Sequence, residues 1–140
     1  MDVLDVLRLA EERGGKDRRQ AISRLLKSAR DLGCTFQTGG GKRGGFNVRY
    51  GANSYSILDV TTDGTVFVHI NPDSALALST EERASRNAFL AGLDGLTMKN
   101  ADVQNYGQVT ELIEAIPEAS VDALLRFALD QIRADLQLSP

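Results

Sequence analysis

Residues 55–70, YSILDVTTDGTVFVHI, decide the fold. Two runs rich in β-branched and aromatic residues flank Asp63-Gly64, a pair suited to a tight hairpin, and each run alternates instead of repeating at helical spacing. Reading Asp63-Gly64 as a two-residue turn puts Thr62 opposite Thr65. That register sets Val60 against Phe67, Asp59 against Val68 and Leu58 against His69. Both faces of this hairpin carry apolar side chains, so it is expected centrally in an antiparallel sheet with helices on at least one side.

Alternation continues upstream through residues 34–37 and 46–50, where Phe46, Val48 and Tyr50 share a strand face that reads as core. Before residue 34 the period becomes helical. Val3, Leu4, Val6, Leu7 and Ala10 mark a first helix over 3–12, ended by Gly14-Gly15. Ala21, Ile22, Leu25, Leu26 and Ala29 mark a second over 17–32, stopped by Gly33. Downstream, Asn71-Pro72-Asp73 breaks the strand pattern, and Ser79 with Glu82 forms a capping box opening a helix that runs to about Leu93. Residues 97–107 read as loop or a short strand, and Val109, Leu112, Ile113 and Ile116 are spaced for a short helix over 108–115. A last helix is expected over 120–136, with Ser120 as N-cap and a stripe of Val121, Leu124, Leu125, Ala128, Leu129, Ile132 and Leu136, Phe127 lying beside it. The expectation is one α+β domain over 1–140. Its small antiparallel sheet of about four strands, with a central hairpin at 54–70, is packed by flanking N- and C-terminal helices.

A chain of 140 residues, 42% hydrophobic and 25% charged, has the composition of an ordinary globular domain, not a fibrous or disordered one. Its apolar runs fall far short of the ~20 residues needed to cross a bilayer, and it opens without a secretory leader. A cytoplasmic protein without a membrane partner is expected. Cys34 is the single cysteine and His69 the single histidine, so a zinc site would need carboxylates almost alone. Neither a metal nor another cofactor is expected.

Charge is strongly segregated. Residues 13–49 hold ten bases against two acids, a balance of +8, whereas residues 51–140 hold five bases against thirteen acids. Such a distribution steers anionic ligands or joins complementary halves of one fold or of two subunits. The bases of the second helix lie mostly off its apolar stripe, and the loop Gly39-Gly40-Gly41-Lys42-Arg43-Gly44-Gly45 follows. Glycines let backbone amides approach phosphates while Lys and Arg supply charge, although the spacing is neither that of a P-loop nor of a dinucleotide fingerprint. Arg18, Arg19, Arg24, Lys27, Lys42 and Arg43 are the expected contacts to nucleic acid or another polyanion, and Phe36, Phe46, Tyr50 and Tyr55 are candidates for base stacking.

The expected function is a noncatalytic binding or regulatory module. Two other classes compete with it. One is an assembly subunit, a homodimer or the binder of a protein partner, whose final helix pairs with another chain. The other is a small enzyme using Asp59, set among apolar strand residues, together with His69. Cys34 lacks a partner nearby in sequence, and Ser54, Ser56 and Ser74 lack a nucleophile-elbow context.

Overall fold

The computed structural model describes residues 2–39, 44–51, 55–69, 79–99 and 106–138. Helix α1 (Val3–Asp31) opens on a capping box in which the Asp2 and Asp5 side chains each accept the other residue's backbone N–H. It bends at Gly15, where φ is 80°, a conformation glycine reaches without a steric penalty. The backbone at Gly15 is not helical, so the two helices expected on either side of Gly14-Gly15 are present and meet at this kink within α1. Gly14 has a separate role: a Cβ there would lie 2.1 Å from Arg18 Nε, so its bare backbone leaves Arg18 a path inward.

Six antiparallel strands, not the four or so expected, follow among the described residues, in the spatial order β1-β2-β3-β4-β6-β5, because Met98–Lys99 and Tyr106–Val109 add to the edge of β4. They are β1 (Thr35–Gly39), β2 (Gly45–Tyr50), β3 (Tyr55–Thr61), β4 (Val66–His69), β5 (Met98–Lys99) and β6 (Tyr106–Val109). Helix α2 (Thr80–Ala91) stands between β4 and β5, and a 3-10 turn (Ile113–Ala115) leads into α3 (Glu118–Leu138). The N- and C-terminal helices flank an α+β core as expected, and β3-β4 is central.

Two downstream expectations are corrected. The helix expected over 108–115 does not form: Tyr106–Val109 instead pairs with β4, placing Gly107 opposite Val68, and only the 3-10 turn at Ile113–Ala115 is helical. The sheet edge left by β4 supplies hydrogen bonds for this strand, and sheet context overrides the helical spacing of Val109, Leu112, Ile113 and Ile116. Leu112, grouped with them by that spacing, is 42% exposed. Nor does Ser120 cap α3. The helix starts at Glu118 with Pro117 O accepting from the Ser120 and Val121 amides, while the Ser120 hydroxyl donates to Asp94 O at 2.6 Å.

The central hairpin is in a register one residue from that expected. Thr61 N–H donates to Thr65 O and Gly64 N–H to Thr61 O, so three residues, Thr62, Asp63 and Gly64, form the loop. Gly64 has φ 89°, the left-handed residue that follows a type I turn in a three-residue hairpin. Asp59 consequently opposes Phe67, with Leu58 opposite Val68 and Val60 opposite Val66. A one-residue slip moves side chains between faces. In the two-residue register Asp59 and His69 would lie on opposite faces; here they share one.

Gly64 is also tightly enclosed, since a Cβ would sit 2.9 Å from Arg18 Nε and 3.1 Å from Glu114 Oε1. Gly64→Ala is expected to destabilise the protein by about 1–3 kcal/mol through its positive φ alone, with crowding of the ion pair added to that. A lowered urea midpoint at unchanged m-value would be the readout; an unchanged midpoint would contradict the loop geometry.

Among the described residues, the two faces of the sheet differ in burial. Phe46, Val48, Leu58, Val60, Val66, Val68 and Val109 are each at most 2% exposed and join the stripes of α1 and α3 in a single cluster. A bulge between β2 and β3 at Val48/Arg49 lets the consecutive residues Ile57 and Leu58 both be fully buried. On the other face Asn47, Asp59, Thr61, Phe67, His69 and Gln108 remain partly exposed.

Candidate functional site

The less buried face contains a hollow of about 350 Å³ lined by Gly39, Gly44, Gly45, Asn47, Asp59, Thr61, Phe67 and His69, with Phe46 and Val60 completing its wall. Asp59 holds its centre. Asn47 Nδ2 donates to Asp59 Oδ1 at 2.6 Å and His69 Nε2 donates to Asp59 Oδ2 at 2.9 Å, making a polar ladder across β2, β3 and β4. Ser56 Oγ extends it by donating to Asn47 Oδ1 at 3.2 Å. Register produces the ladder, since Asn47 pairs directly with Asp59 and His69 stands diagonally across from it.

Burial opposes ionisation of Asp59. The hydrogen bonds from His69 and Asn47, aided by the charges of His69 and Arg49, outweigh it and hold the carboxyl below the ordinary aspartate range. Because the folded value lies below the unfolded one, this contribution to stability is complete above the unfolded value of about 4 and is lost as pH falls through the folded value. Asp59→Asn is therefore expected to narrow the stability gap between pH 5 and about pH 3. An identical gap in wild type and variant, measured by urea midpoints, would show the carboxylate to be uncoupled from folding.

Asp59 and His69 are thus brought together, as the enzyme reading requires. A hydroxyl nucleophile aligned on His69 is not part of the arrangement: the hydroxyl among the described lining residues is that of Thr61, which donates to Asp63. The ladder presents an ionised carboxylate with acceptor capacity beyond its two bonds, next to an aromatic side chain.

The expected polyanion contacts divide. Arg18 points inward, 7% exposed, with its guanidinium on Glu114 at 3.0–3.1 Å and Nη1 donating to Thr62 O at 3.3 Å. Arg19 is partly exposed and lies 3.8 Å from Glu11 across the bend at Gly15. Arg24 and Lys27 are exposed on the outer side of α1, and Lys42 and Arg43 lie outside the described residues. Lys16, Arg19 and Arg24 line one notch of about 480 Å³ beside the bend. Exposed Arg30 continues the outer side, its guanidinium 5.7 Å from the Phe36 ring centroid.

The aromatic candidates face the core side. Phe36 meets Phe46 edge-on with centroids 5.8 Å apart, and Tyr50 accepts a hydrogen bond from Arg133 Nε at 3.3 Å. Phe127 is partly buried and stacks at 4.6 Å on Phe89, which is 51% exposed. Cys34 is buried, and desolvation raises its thiol pKa despite the charge of Arg133.

Sequence reasoning missed Asn47 and Glu114. For Asn47 a signal existed, because strand alternation sets it opposite in direction to Phe46 and Val48 and so on the face away from the core. For Glu114, 96 residues from Arg18, no local pattern pointed to the pairing.

Fold and site together define an α+β protein built on an antiparallel sheet, with a largely apolar hollow around the Asn47, Asp59 and His69 ladder on the less buried face. No protein-family model, curated protein or solved structure matches the chain. Among the described residues no helix is long and apolar enough to cross a membrane, and no group of three or more His, Cys, Asp or Glu is arranged to hold a metal ion.

Proposed function

We propose that this protein is a noncatalytic binding module for nucleic acid or another polyanion, contacting it through the cationic outer side of α1. One observation carries the reading: Lys16, Arg24, Lys27 and Arg30 are all exposed on the helix side turned from the buried stripe of Ala21, Ile22, Leu25, Leu26 and Ala29. At 1.5 Å per residue these charges run along about 21 Å, the axial length of roughly six base pairs. Arg19 adds to the same side. Arg18 is left out of the contact set because its charge is spent on Glu114.

Lys42 and Arg43, which the sequence also marked as contacts, lie outside the described residues and are not assigned to this surface. The test is a salt titration of nuclease-treated protein with labelled single- and double-stranded DNA and RNA. With about four phosphate contacts, affinity should fall about 10²-fold between 50 and 200 mM salt. Salt-independent binding, or none at low salt, would reject the reading.

A further inference from the structure

The hollow on the less buried sheet face is a separate feature from the α1 stripe, because α1 packs on the other face and turns its cations away from the core. We propose that this hollow is a binding site for a guanine base, taken through the paired N1–H and N2–H donors of its Watson–Crick edge by the Asp59 carboxylate.

Three observations select that chemistry. First, an ionised carboxylate only accepts hydrogen bonds, and Asn47 and His69 use two of its roughly four acceptor positions. Asp59 therefore asks for a ligand that presents donors. Second, Phe67 opposes Asp59 in the ladder and lines the same hollow, so an aromatic side chain flanks the carboxylate. A flat heterocycle packing against that ring brings its edge to the carboxylate. Third, the Arg49 guanidinium already acts electrostatically on Asp59, so a cationic ligand such as an amine would meet a positive charge beside the carboxylate.

A neutral planar ring with donors on one edge is what remains. Among the common bases guanine has two adjacent donors there, matching two carboxylate oxygens. Adenine and cytosine place an amino group beside a ring acceptor, and uracil flanks one N–H with two carbonyls. Gly39, Gly44 and Gly45 line the same hollow without side chains to fill it. At about 350 Å³ it lies at the small end of ligand-site volumes.

The experiment follows backbone amide NMR shifts of the full chain as GMP, IMP, AMP, CMP and UMP are added in turn. GMP is expected to give saturable shifts at Asn47, Asp59, Phe67 and His69. IMP, which keeps N1–H but lacks the 2-amino group, should bind about tenfold to a hundredfold more weakly. Asp59→Asn, close to isosteric, should weaken GMP by a similar factor while the spectrum stays dispersed. The comparison of GMP with IMP on wild-type protein needs no variant to fold. Absence of saturable shifts on this face, or equal binding of GMP and IMP, would overturn the proposal.

A short guanine-containing oligonucleotide, run beside GMP, identifies the source of the base. Preference for either over its guanine-free counterpart supports the site. Polymer binding on α1 without any GMP effect removes the hollow alone. GMP binding without salt-sensitive polymer binding removes the α1 reading alone.

Discussion

Replacing Arg18 by alanine is expected to cost about 3–5 kcal/mol of folding stability, the largest loss predicted for a charged residue in this protein. The guanidinium is bound twice over, by Glu114 and by the Thr62 carbonyl, and its side chain is only 8% exposed. Removing it leaves the Glu114 carboxylate, 19% exposed, without its cation at the joint where α1, the central hairpin and the 3-10 turn meet. The adjoining contact, Ile113 N–H to Gly64 O at 2.8 Å, ties the same turn to the hairpin. Glu114→Gln should be destabilising in the same direction. A double variant in which both residues become leucine should recover much of the loss, since a buried ion pair exchanged as a unit for apolar groups is often close to neutral. Urea unfolding of the two single variants and the double variant is the measurement. Single variants within about 0.5 kcal/mol of wild type would mean that the pair is solvated and not part of the core.

The second large effect is on binding. The triple variant Lys16→Ala, Arg24→Ala, Lys27→Ala is expected to lose on the order of 10²–10³-fold in polyanion affinity at 0.1 M salt, because each lost phosphate contact forfeits the release of about one counterion. All three side chains are exposed on α1, so stability should change by less than about 0.5 kcal/mol and the loss is attributable to contact. Lys99→Ala, exposed on β5, is the matched control and should retain near wild-type affinity. A logarithmic loss in this single-charge control of about one third of the triple variant's would reduce the effect to net charge without a defined surface.

Much of the architecture was legible in local pattern. Alternation in 55–61 and 66–69 and the Ser79 cap with Glu82 read directly as β3, β4 and the start of α2. What local pattern missed was set by distant partners. Val109, Leu112, Ile113 and Ile116 have helical spacing, yet the strand edge of β4 draws Tyr106–Val109 into the sheet. Asp63-Gly64 fits a two-residue turn and a three-residue one equally well, and that single choice governs whether Asp59 meets His69. Arg18 read as one more cation on a basic helix. Helical position alone puts it near the apolar stripe, at the interval of Ala21, Ile22 and Leu25, and the bare Gly14 backbone opens its way to Glu114.

The hollow was legible as residues but not as a place. Asp59, His69 and the glycine-rich loop each drew attention separately, as a catalytic pair and as a phosphate cradle. The fold sets the glycines that flank the loop around the same cavity as Asp59 and His69. Strand order, which no short motif encodes, brings them together.

The most direct test of the central claim is the slope of log affinity against log salt for one labelled oligonucleotide, measured for wild type and for the Lys16, Arg24, Lys27 triple variant. If the α1 stripe is the contact surface, the wild-type slope should be near −4 and the variant's shallower by about 3. Identical slopes for the two proteins would mean that the phosphates are held elsewhere, and the proposed surface would be wrong.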